Sequence, residues 1–313
     1  GVIRLDTALL RYPFRISVRD SIVMIMDLHN LDHFFHAFTY PEGSHIASFG
    51  KRGEAPEEML SAETFQFNSL DTIWALDANK MQITRWELYP PTQSAKRNEV
   101  IPLDQELVRA LDFYAMESGF LVPDYSGEYR YHHINPGGKR DISTGVIPTN
   151  KSYKNAARPA LAQAWRSFMD YNLRQKVLVM VTQFGEHIDI YHLVDSSHVI
   201  LRGKYGEPEF RVSRGEGIPT GIMGFSDVKI TDTYIYTVFH GQTFKDILAA
   251  TEKGEFLEDG GRFIYVFDLK GQPVCKYTLD HAVSGIDVDE KNGIIWATDV
   301  NTDDPILRYK MGT

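Results

Sequence analysis

The sequence predicts an all-β protein, a single six-bladed β-propeller spanning residues 1–313. Three observations carry that expectation. An apolar run recurs at a near-constant interval, an aromatic-rich run follows each one, and the last unit ends one strand short while the first residues offer a spare strand. The recurring runs start at 21, 71, 119, 176, 233 and 293, as in Ser21-Ile-Val-Met-Ile-Met-Asp27 and Gly293-Ile-Ile-Trp-Ala-Thr-Asp299. Their intervals of 50, 48, 57, 57 and 60 residues suit a four-stranded repeat.

Each run is preceded by an inner strand: Phe14–Val18, Thr64–Asn68, Leu111–Tyr114, Arg166–Met169, Ser226–Ile230 and Ser284–Val288. Each is followed by a third strand: 34–40, 81–89, 129–134, 187–194, 262–269 and 306–311. Five units then turn through residues such as Pro41-Glu-Gly-Ser44 and Pro136-Gly-Gly138 into a fourth strand. The sixth stops at Thr313 without one, and Val2-Ile3-Arg4-Leu5-Asp6 is placed to supply it, which removes an unpaired edge.

Two insertions interrupt the regular units. Within 148–165 the Ala-rich stretch from Ala156 to Trp165, with Pro159 suited to a first turn, reads as a helix. Within 242–261 Phe244, Ile247 and Leu248 share one helical face, and Gly254 marks the stop. The phrases Gly50-Lys-Arg-Gly-Glu-Ala-Pro56 and Gly203-Lys-Tyr-Gly-Glu-Pro208 repeat three units apart and read as blade-joining loops.

A net charge of -9 and the lack of a Lys/Arg-rich run argue against nucleic acid as a partner. No apolar run approaches the ~20 residues needed for a transmembrane helix. The single cysteine, Cys275, sits in a strand-like alternation and is expected to be a half-buried structural thiol. His29, His33 and His36 read as loop histidines rather than a metal set, and the adjacent His132 and His133 face opposite sides of a strand.

Blade six, with Gly285-Ile-Asp-Val-Asp and Gly293-Ile-Ile-Trp-Ala-Thr-Asp, resembles an NHL-type blade, and the Gly50–Pro56 phrase is similar to the inter-blade segment of those repeats. As a whole the chain resembles the TolB-like six-bladed propellers of bacterial envelope proteins. That resemblance implies export, with a periplasmic or lipid-anchored outer-membrane location. Blades three to five depart furthest from it, being expected to lack the Gly-Asn turn and the Asp ending of the other three.

Two functions follow. The first is a non-catalytic binding or scaffold module for a protein or glycan partner, with Arg52, Glu54, Arg158, Arg214 and Glu216 as channel-mouth candidates and no cofactor. The alternative is a calcium-dependent lactonase or esterase. Asn68, Asp112, Asp227 and Asp287 fall on four predicted inner strands, and converging Asp and Asn oxygens suit Ca²⁺. Six-bladed lactonases build a calcium site in that place. No Gly-x-Ser-x-Gly elbow and no phosphate loop is present.

Overall fold

The computed structural model describes residues 1–5, 9–148, 153 and 155–312. The chain divides into two compact units. Unit 1 is Gly1–Asp104, Pro136–Gly138 and Val283–Thr313, and unit 2 is Gln105–Asn135 and Lys139–Ala282.

Unit 1 holds three antiparallel sheets in plain meander order. The first is β1 (Pro13–Arg19), β2 (Ile22–Asp27), β3 (His33–Thr39) and β4 (His45–Lys51). The second is β5 (Thr64–Ser69), β6 (Thr72–Asp77), β7 (Gln82–Tyr89) and β8 (Ser94–Pro102). The recurring apolar runs become second strands. They are buried on both faces, as in Ile22–Asp27 where every residue is buried, and so read as unbroken hydrophobic stretches. Met24, Met26, Phe34, Phe35 and Phe49 pack with Met59, Phe67, Ile73 and Trp86 into a core shared by the first two sheets.

Unit 2 holds β9 (Tyr114–Met116), β10 (Gly119–Pro123), β11 (Tyr131–Ile134) and β12 (Arg140–Thr144). After helix α1 (Arg158–Ala164) come β13 (Ser167–Asn172), β14 (Val177–Thr182), β15 (His187–His192) and β16 (Ser197–Arg202). A hairpin of β17 (Phe210–Ser213) and β18 (Glu216–Pro219) precedes the next sheet. That sheet is β19 (Phe225–Ile230), β20 (Tyr234–Phe239), helix α2 (Phe244–Lys253), β21 (Gly261–Asp268) and β22 (Pro273–Val283). The third sheet of unit 1 closes the chain: β23 (Ile286–Asp289), β24 (Ile294–Thr298) and β25 (Ile306–Lys310).

The opening residues run beside that three-stranded sheet. Val2 bridges Leu307 antiparallel, the Ile3 amide donates to the Ile306 carbonyl at 2.9 Å, and the Arg308 amide donates to the Gly1 carbonyl at 2.7 Å. Ile3 and Leu5 are buried in a cluster with Ile16, Ile25, Trp296 and Ile306. Asp6 lies outside the described residues.

Four sequence expectations are corrected. Asp112 precedes its strand, because β9 begins only at Tyr114. The β17–β18 hairpin, turning on Arg214-Gly215 with φ of 53° and 85°, lies between the Gly203–Pro208 phrase and the next inner strand, where no strand was predicted. Cys275 is exposed, since the edge strand β22 leaves Pro273–Lys276 uncovered on both faces. His36 is no loop residue: it is 2% exposed on β3, with Nδ1 2.8 Å from Ser48 Oγ. Burial takes its imidazole down to about 4, so it stays neutral.

Candidate functional site

The residues with most chemical potential are the aspartates on or just before the innermost strands. Asp112, Asp170 and Asp287 share one pair of contacts. In unit 2 one Asp112 oxygen accepts the Phe113 amide at 2.8 Å, and the other accepts the Met169 amide of the following sheet at 2.8 Å. Asp170 repeats this with the Tyr171 amide and the Ile230 amide, both at 2.9 Å. In unit 1 Asp287 Oδ1 accepts the Val288 amide, and Oδ2 accepts the Val18 amide at 2.6 Å and Arg19 Nη1 at 2.8 Å. These carboxylates clasp one sheet to the backbone of the next.

Asp227 accepts the Val228 amide through Oδ1, while Asn68 is exposed on β5. Among the described residues, no three His, Cys, Asp or Glu side chains are grouped to hold a metal ion. Asp170, absent from the sequence-derived set, belongs to the same series. Burial pushes it up to about 6 against the opposing pull of Lys229. Its signal was legible only as the next member of a series: Asp112, Asp170, Asp227 and Asp287 recur once per blade.

A second aspartate series ends the second strands. Asp27 Oδ1 collects the amides of Tyr12, His29 and Asn30. Asp77 collects those of Leu60, Ser61, Asn79 and Lys80. Blade three keeps this ending, contrary to expectation. Asp124 takes the amides of Ser126, Gly127, Glu128 and Tyr129 and lies 2.8 Å from His132 Nε2. Burial works against its charge, but the bonds from His132 and Ser126 outweigh it and hold the carboxyl down at about 2.

A buried electrostatic group ties Arg130, the residue just before β11, to β15 of the following sheet within unit 2. Arg130 donates through Nε and Nη2 to Asp189 Oδ2 at 3.1 and 2.7 Å, and its guanidinium lies 5.1 Å from the Trp165 ring. His198 and His187 approach the same carboxylate at 2.8 and 3.2 Å. Burial disfavours the Asp189 charge, yet Arg130 and the two histidines hold its carboxyl well below the usual range. Arg130 and Asp189 are 3% and 1% exposed, so that pair is closed to a substrate, and only His198 of the group reaches the surface.

The mouth candidates divide between the units. In unit 1 Arg52 donates to the Leu28 and Asn30 carbonyls and stacks 4.0 Å over Phe34, so it fixes its own loop; Glu54 is exposed. In unit 2 Arg158 pairs with Glu128 at 3.1 Å on the surface, and Arg214 and Glu216 are exposed at the β17–β18 turn. That hairpin is held against α1. The Gly217 amide donates to Gln163 Oε1 at 2.7 Å, and a Cβ on Gly217 would stand 2.4 Å from the Ala160 carbonyl oxygen, which admits only glycine. Phe210 stacks on Tyr153 at 4.1 Å, completing a small core with Leu161 and Trp165.

Helix α2 is the remaining addition. Thr243 caps it by accepting the Asp246 amide, and Gly254 ends it at φ 68°. Phe244 meets Phe184 edge-on at 5.6 Å. Leu248 and the following Phe256 stay 62% and 80% exposed. No helix of the described residues is long and apolar enough to cross a membrane.

Solved structures with this architecture share little sequence with the chain. A member of the DUF4221 family from Bacteroides vulgatus is 8% identical, with a TM-score of 0.59, 96% of this chain covered and 94% of the other. Streptogramin B lyase is 13% identical at a TM-score of 0.54, covering 100% and 87%. A Bacteroides fragilis protein of the exported type is 12% identical at 0.53, covering 95% and 82%. At these identities the likeness is one of fold. No curated protein matches the chain. The TolB-like 6-blade propeller-like family matches residues 1–291, and with six sheets of the expected order the chain belongs to that family of six-bladed β-propellers.

Proposed function

We propose that the protein is a non-catalytic binding propeller of the bacterial cell envelope that recognises a protein partner through the α2 insertion, with Arg158, Arg214 and Glu216 as a polar rim. The observation that carries this reading is the exposure of Leu248 and Phe256 on a segment that interrupts an otherwise regular sheet. Burying both on a partner is worth about 3–6 kcal/mol in area terms, enough to anchor an interface of ordinary size. The inner-strand carboxylates support a non-catalytic role, because Asp112, Asp170 and Asp287 already serve backbone amides. Membership of the TolB-like family and the likeness to an exported-type protein support an envelope location.

The test is site-specific photocrosslinking in the native host. A benzophenone side chain at Phe256 should give one discrete adduct, lost when Leu248→Asp is added, while the same probe at exposed Val194 gives none. Equal labelling from both positions defeats the proposal.

A further inference from the structure

We infer that a cleft in unit 1, bounded by the Tyr40–Glu42 turn, the opening residues and the end of β25, is a binding site for a phosphomonoester carried on a sugar-sized group. The cleft measures about 660 Å³, a volume suited to a small ligand. Arg4, Arg308 and Lys310 line it with a single carboxylate, Glu42. Three side-chain cations against one carboxylate leave +2 here, in a chain whose net charge is -9. A phosphomonoester bears about −1.5 to −2 at neutral pH, which matches that excess; a single carboxylate matches half of it.

The cations are held ready rather than neutralised. Arg308 and Lys310 are two apart on β25 and project to one face. Arg308 lies opposite Trp296 in register, its guanidinium 5.8 Å from the ring, and Tyr40 packs edge-on to Trp296 at 4.8 Å. An aromatic body thus positions the guanidinium. Its Nε is buried without a hydrogen-bond partner, and among the described residues Arg4, Arg308 and Lys310 form no ion pair. A guanidinium fork suits phosphate oxygens. Tyr40 and Tyr309 supply apolar walls for a sugar ring.

The phosphate source is either a soluble sugar phosphate or a lipid headgroup, and the experiment separates them. Calorimetric titration at low salt uses glucose 6-phosphate and glucose. A flotation arm uses phosphatidylcholine vesicles, plain or doped with phosphatidic acid. Binding of glucose 6-phosphate but not glucose, or of doped but not plain vesicles, supports the site, and either must fall tenfold or more in Arg308→Ala and Lys310→Glu. Lys310 is exposed, so its reversal reads the site even where Arg308→Ala fails to fold. Lys270→Glu, a like reversal at the exposed turn between β21 and β22, should leave binding unchanged. No binding in either arm, or binding indifferent to both cleft variants, overturns the inference. The site shares no residue with the α2 surface, so the two readings stand or fall separately.

Discussion

Replacing Asp189 by leucine removes the carboxylate that neutralises Arg130 while keeping similar bulk. Both groups are nearly inaccessible, at 1% and 3% exposure, and the pair is bonded twice, at 2.7 and 3.1 Å. Breaking a buried pair from one side costs ~3–5 kcal/mol, because the remaining charge is stranded. With a urea slope of ~3 kcal/mol per molar, a loss of ~4 kcal/mol moves the denaturation midpoint down by roughly 1.3 M. Arg130→Met on top of Asp189→Leu should recover most of that shift, since no uncompensated charge remains. The assay is urea unfolding followed by tryptophan fluorescence, with Trp165 beside the guanidinium as a local reporter. A single variant that shifts by less than ~0.3 M, or a double variant worse than the two singles combined, refutes the reasoning. The pH dependence follows in sign. The folded carboxyl is depressed, so its contribution is complete above the ordinary range near 3.8 and is lost as pH falls below it. The Asp189→Leu difference should therefore shrink in acid.

Other expectations are as direct. Deleting residues 1–10 removes the pairing along β25 and the burial of Ile3 and Leu5, and should lower the melting temperature sharply; an unchanged melt would show that the N-terminal strand does not complete the last blade. Asp170 should titrate near pH 6 by carboxyl NMR, and because its folded value is raised, the stability it contributes is lost as pH rises from about 4 through 6; a midpoint at 4 would remove the burial argument. Millimolar calcium should leave the melt unmoved, since both oxygens of Asp112 and of Asp287 hold amides; a clear rise would restore the lactonase-like alternative and its set of Asn68, Asp112, Asp227 and Asp287.

The second strands were plain in the sequence because burial on both faces leaves an uninterrupted apolar run, and their spacing gave the blade count. The helices were legible from Pro159 and Gly254, residues whose backbone preferences act locally. What escaped was what depends on register between distant segments. Arg130 and Asp189 are 59 residues apart, and neither neighbourhood announces the other. The β17–β18 hairpin had a local signature, Arg214-Gly215 between short β-type pairs, that is weaker than Asn-Gly because arginine pays for positive φ. The candidate site was least legible of all: Arg52 is oriented by carbonyls 22 and 24 residues upstream, and Arg308 by an aromatic ring across the strand.

The aspartates that reach from sheet to sheet have an unusual partner: a peptide N–H, which every amino acid but one presents identically. The hydrogen bond is therefore blind to the side chains of Met169, Ile230 and Val18, so an alanine scan of the receiving side would read only the packing of those side chains in their apolar clusters and not the seam itself. Proline, lacking that hydrogen, is the one substitution that would unfasten a seam from the receiving side.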